Sequence, residues 1–134
     1  NITMGKPQAS FEKLQHYLEA TGLNNEINML NNGLMTELHA EGHELSTAST
    51  EKLVLVRSLL IKPKLLVIPT LFSNLPKEEV LKMLNLILDR AKGWTVVINS
   101  NNALVQAACD RVVFLSNGAL VAEGKYEDIK HLLN

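Results

Sequence analysis

A chain of 134 residues, 46% hydrophobic and 20% charged, is long enough to bury a core and too apolar to be a disordered tail. Its formal net charge of -1, without any run of lysines or arginines, argues against a binder that works by neutralising nucleic-acid phosphates. Cys109 is the single cysteine, which rules out an intrachain disulfide framework or a cysteine-rich zinc site and points to a reducing compartment.

No stretch approaches the roughly 20 apolar residues of a membrane span, and the opening "NITMGKPQAS" lacks the apolar segment of a signal peptide. The expectation is therefore a soluble piece that reaches a membrane through a partner or through sequence outside this chain. The missing initiator Met suggests a piece excised from a longer protein.

Ser10 is placed to cap a helix in which Phe11, Leu14, Tyr17 and Leu18 recur at helical spacing, with Gly22 as its stop. A shorter helix is expected over residues 25–30, and the turn-rich stretch 31–44 reads as a loop. The longest helix starts near Ser46, Thr47 or Ser49, presents Leu53, Val56, Leu59 and Leu60, and stops at Pro63. "KLLVI" then runs without alternation, the mark of a parallel strand covered on both faces.

An amphipathic helix follows, with Val80, Leu84, Ile87 and Ala91 on one side and Gly93 at its end. "TVVIN" reads as a second buried strand, "NALVQAAC" as a short helix and "DRVVFL" as a third strand. Asn117-Gly118 marks a hairpin turn into a last strand, and "KYEDIKHLL" closes the chain as a helix. Strand and helix alternate from residue 64 onward, which predicts an α/β fold with a parallel sheet and right-handed crossovers.

The order of these parts resembles the nucleotide-binding domain of ABC transporters of the exporter type, from a point after its first third to its end. The family's signature "LSGGQ" falls on Leu45, Ser46, Thr47, Ala48 and Ser49. Its Walker B strand and "DEPT" fall on "LLVI" followed by Pro69, Thr70, Leu71 and Phe72. Its "SALD" turn falls on Ser73, Asn74, Leu75 and Pro76, and the strand ending in "TH" on "TVVI" followed by Asn99, Ser100 and Asn101. "NGLMTELHAEGHELS" resembles the exporters' approach to the signature, which makes Thr36, Glu37, Glu41 and Gly42 resemble a loop near the coupling helices of a membrane domain.

The resemblance implies a partial P-loop NTPase-like fold in two parts: a helical subdomain and loop over 1–45, and the C-terminal part of a RecA-like core over 46–134. It also implies that chemistry has been lost. The magnesium-orienting aspartate and the water-polarising glutamate have their slots at Pro69 and Thr70, and the switch histidine falls at Asn101. Thr47 and Ala48 replace two glycines, adding Cβ atoms where backbone must approach a phosphate, and Pro76 replaces the "SALD" aspartate.

No phosphate-binding G-x-x-x-x-G-K-[ST] loop is present, so no cofactor is expected on this chain alone. ATP and magnesium would bind only if an upstream portion supplies that loop. The implied role is a degenerate, catalytically inactive part of an exporter's ATP-binding domain, at the cytoplasmic face of a membrane, acting in transport of peptide, protein or lipid. Its implied partners are a transmembrane domain and a second nucleotide-binding domain, with no nucleic acid. The alternative is a stand-alone protein-interaction module built on the same fold. A third reading keeps the ATPase active through Glu78 or Glu79, although both sit where acids favour a helix start.

The family's sheet order also implies that a strand is missing between "TVVIN" and "DRVVFL". The resulting gap is expected to be closed by rearrangement, by strand swapping or by a homodimer. Among single residues, Ser46 reads foremost as a helix cap, Asn101 and Asn102 as a turn or helix cap ahead of a residual nucleotide sensor, Arg57 as part of an ion pair, and Asp110-Arg111 as a local salt bridge. Cys109 reads as a small buried residue, and His39 with His43 as too few ligands for a metal.

Overall fold

The computed structural model describes residues 2–3, 10–39, 44–69 and 75–132. Ser10 caps α1 (Phe11–Ala20): its side chain accepts a hydrogen bond from the Lys13 N–H, and Leu14, Tyr17 and Leu18 form the buried stripe. Phe11 faces solvent instead, one step outside that stripe. Gly22, in the left-handed conformation, starts α2 (Leu23–Asn28), two residues earlier than expected, with Leu23 and Ile27 buried. The loop after α2 holds one short 3-10 turn at Gly33–Met35.

The longest helix, α3 (Thr47–Leu60), buries Leu53, Leu55, Val56 and Leu59. It ends where Lys62 takes a left-handed backbone ahead of Pro63. Next come β1 (Leu65–Ile68), α4 (Lys77–Ile87) and β2 (Thr95–Ile98). α4 stops at Leu88, and Ala91 lies in a separate 3-10 turn at Arg90–Lys92, exposed rather than on the apolar face. The break is local chemistry: the Asp89 carboxylate accepts from the Ala91 N–H and caps the new turn, while the Trp94 Nε1–H donates to the Ile87 carbonyl at the helix end.

α5 (Ala103–Ala108) leads to β3 (Val112–Ser116) and β4 (Ala119–Gly124), then to α6 (Tyr126–Ile129). β3 and β4 form the expected antiparallel hairpin around Asn117-Gly118, both with positive φ. β1 and β2 pair in parallel with Leu65 opposite Thr95 and Ile68 opposite Ile98.

The expectation that β1 and β2 are buried strands needs correction. β1 alternates: Leu66 and Ile68 are each 4% exposed, whereas Leu65 and Val67 are 56% and 60% exposed. Helices therefore cover one face of the β1–β2 pair, and a face bearing Leu65, Val67 and Val97 is open. The continuous run "LLVI" signals a strand suited to burial on both faces, but half of that cover is absent.

The sheet is also split. Among the described residues β2 pairs only with β1 and β3 only with β4, so the gap lies where expected and the chain alone does not rearrange to close it. The core runs instead through the helices, where Leu18, Leu23, Val56, Leu59, Val80 and Ile87 are fully enclosed. The two faces should respond differently to truncation. Leu66→Ala is expected to cost about 2–5 kcal/mol in urea unfolding, and Val67→Ala to stay within about 0.5 kcal/mol. Equal losses at both positions would show that the open face is covered in solution.

Candidate functional site

The signature-like turn is built by a cap. Ser46 has extended backbone, and its Oγ accepts from the Ser49 N–H at 3.1 Å, satisfying one of the unpaired donors that start α3. The two hydroxyls also meet at 2.5 Å, and Ser49 is fully buried, its hydroxyl donating to Glu26 of α2. Thr47 is exposed and Ala48 half-buried on the outside of this turn, while Leu45 packs against the core.

Lys52, one turn further along α3, lies under the same cap. Its side chain is 6% exposed, and its ammonium stands 3.3 Å from Glu26 Oε1 and 2.8 Å from Glu79 Oε2 in the first turn of α4. Burial pushes that ammonium towards losing its proton; Glu79, and after it Glu26, outweigh the push and hold it above its ordinary value of 10.5. Lys52 was not among the candidates drawn from the sequence. The signal was there, since positions 52, 56 and 59 share one face of α3 and a lysine on an apolar face asks for a carboxylate partner.

A cavity of about 270 Å³ lies between α1, α2 and the start of α3, lined by Ile27, Leu30, Met35, Thr36, Leu45 and Leu53 among others. It brings the coupling-loop-like Thr36 and the signature-like Leu45 to one wall. The Thr36 hydroxyl is buried with no hydrogen-bond partner among the described residues, and Glu37 is exposed. Glu41 and Gly42 lie outside the described residues, as does His43. His39 pairs with Glu44, and that hydrogen bond holds the Glu44 carboxyl below its ordinary range.

At the other end of the molecule the carboxyl ends of β1 and β2 come together. The Asn99 N–H donates to the Ile68 carbonyl at 3.0 Å, so exposed Pro69 and exposed Asn101 stand at the same edge of the parallel pair. Asn102 caps α5, its Oδ1 accepting from the Leu104 N–H at 2.9 Å. Thr70, Ser73 and Asn74 lie outside the described residues; Leu75 packs on the core, and Pro76 sits exposed at the N-cap position of α4. Glu79 is held by Lys52, and Glu78 is exposed on the same turn. Among the described residues no group of three or more His, Cys, Asp or Glu could hold a metal ion. Pro69 offers no side-chain oxygen, so the donor set described at this strand edge does not fit an acid-held magnesium ion.

Three smaller expectations are corrected. Asp110 and Arg111 do not pair with each other: Asp110 meets Arg90 at 2.5 Å and Arg111 meets Glu123 at 2.9 Å across the hairpin. Adjacent side chains in extended backbone diverge, and each finds a partner on a neighbouring element. Arg57 forms no ion pair among the described residues, and its Nε is buried without a hydrogen bond. Cys109 is half-buried rather than enclosed; burial, then the Asp110 charge, pushes its thiol up from 9.0.

The architecture is that of a partial P-loop NTPase-like domain, and the comparisons agree. Aligned with a bacterial Atm1-family ABC exporter solved with ATP bound, the chain reaches a TM-score of 0.83 at 20% identity, over 99% of this chain and 23% of that one. In sequence it is 26% identical over 129 residues to the alpha-hemolysin translocation ATP-binding protein HlyB of Escherichia coli, covering 96% of this chain and 18% of HlyB. The same identity and coverage of this chain hold for the ABC transporter ATP-binding protein YknV of Bacillus subtilis, of which 21% is matched. No protein-family model matches the chain. Its homologues are thus ATP-binding proteins of ABC exporters, of whose length it spans about a fifth.

Ser46→Ala is expected to destabilise the chain by about 1 kcal/mol in urea unfolding, with Ser46→Asn recovering most of the loss because asparagine also caps. Identical stability of Ser46→Ala and the parent would contradict the cap.

Proposed function

We propose that the chain is the helical and C-terminal part of an exporter ATP-binding domain that couples and carries load but does not hydrolyse ATP. The single observation behind this reading is Pro69 at the end of β1, where a ring without any oxygen stands beside the Asn99–Asn101 edge. Thr70 and Asn101 in the neighbouring slots add no general base, since a hydroxyl and a carboxamide do not take up a proton at neutral pH.

In this role the chain works at the cytoplasmic face of a membrane with a transmembrane domain and a second nucleotide-binding domain as partners. No described helix is long and apolar enough to cross a membrane, so the spanning helices would belong to other segments. The cavity beside Thr36, with the 84% exposed Met35 in its lining, supports docking of a membrane-domain helix there. The unpaired edges of β2 and β3 and the open face of β1 support completion of the sheet by further strands. ATP and magnesium would be held by groups outside this chain, with Ser46 presented to a partner's nucleotide. The cargo class is peptide, protein or lipid.

The test uses the intact transporter. Pro69→Ala together with Thr70→Ala is expected to leave both transport and ATP turnover within about twofold of the parent, because neither residue takes part in chemistry. A tenfold or greater fall in turnover, of the size typical of losing an acid–base group, would overturn the reading.

A further inference from the structure

Lys52 carries one positive charge and faces two carboxylates from two different helices. Glu26 comes from α2 and Glu79 from α4, and their side chains are 35% and 40% exposed while that of Lys52 is 6% exposed. The contact to Glu79 is the shorter, at 2.8 Å against 3.3 Å. Glu26 has a second donor in the Ser49 hydroxyl, which the Ser46 cap in turn contacts. The described part of this cluster therefore runs from the cap of α3 through α2 and Lys52 to the first turn of α4.

Its charges do not balance. Among the described residues one ammonium faces two carboxylates, so this part of the cluster carries an excess of negative charge, which water at the partly exposed Glu26 and Glu79 screens in part. Each carboxylate depends on the same cation. Removing one leaves Lys52 paired with the other; removing both strands a buried cation, and removing Lys52 sets two carboxylates against each other.

We propose that Lys52 is a shared tether that couples α2 to α4, so that the pairing available to Glu26 and the pairing available to Glu79 are not independent. A shift of α2 is then felt at the start of α4. The signature-like turn at Ser46 and the segment that enters α4 at Pro76 behave as one mechanical unit. The tether stands apart from the question of catalysis and holds whether or not the intact protein turns over ATP.

Unfolding equilibria of Glu26→Gln, Glu79→Gln and the double variant, each with Lys52 and with Lys52→Met, test this. With Lys52 in place, the unfolding constant of the double variant is expected to exceed the product of the two single effects by about fivefold or more. With Lys52→Met, each Gln substitution is expected to leave the constant unchanged or to lower it, because a repulsion is relieved. Factors that simply multiply in both backgrounds would overturn the proposal.

Should Lys52→Met fail to fold, Glu26→Gln alone decides. The undivided Lys52 is expected to slow hydrogen exchange of the Val80 amide, which donates to the Pro76 carbonyl at the start of α4, by about twofold. Unchanged exchange there would overturn the tether.

Discussion

The parallel pairing of β1 with β2 is the constraint on which the remaining architecture rests. Because Leu65 sits opposite Thr95 and Ile68 opposite Ile98, the strands end together, and the backbone bond from Asn99 to Ile68 ties their exits to each other. That register fixes which residues share the edge where an α/β domain puts its ligand chemistry. It also turns Leu66 and Ile68 inward onto the helical core, and so turns Leu65 and Val67 outward. The same two strands therefore account for the firm helical side of the molecule and for its open side.

What stands at that edge decides the functional reading. A parallel pair of this kind directs backbone toward a substrate, but proton transfer and metal binding need side-chain oxygens and bases. Pro69 has neither, and Asn101 has a carboxamide. The polar density lies elsewhere, in the cap of α3 and the Glu26–Lys52–Glu79 group, where a buried ammonium is joined to two partly exposed carboxylates on neighbouring helices. Mutually paired groups of this kind hold elements in register. The described polar contacts thus join helix to helix, while the described strand exits carry proline and asparagine.

Much of the fold was legible because its signals are local. Ser10 and Ser46 before apolar periodicity gave two helix starts, Pro63 gave a stop, and Asn117-Gly118 gave the hairpin. The signature-like residues and the slots at Pro69 and Asn101 were assigned by resemblance to a family's order and spacing, not by any local signal. Non-local features were harder to read. An apolar strand run does not say whether both faces are covered, as Val67 shows, and sequence adjacency suggested a pair for Asp110 and Arg111 that the geometry divides between Arg90 and Glu123. The end of α4 depended on the Asp89 carboxylate capping a new turn rather than on Gly93. Lys52 on the apolar face of α3 signalled a carboxylate partner, but which carboxylates it meets appears only when α2 and α4 are both in place.

The most direct measurement is phosphate release by the intact protein at saturating magnesium-ATP, with all of its transport partners except any second, catalytically complete ATP-binding domain. Release no faster than that of a protein-free control is the expected result. Sustained turnover under those conditions would contradict a silent site at Pro69 and would mean that acids from another segment complete the strand edge.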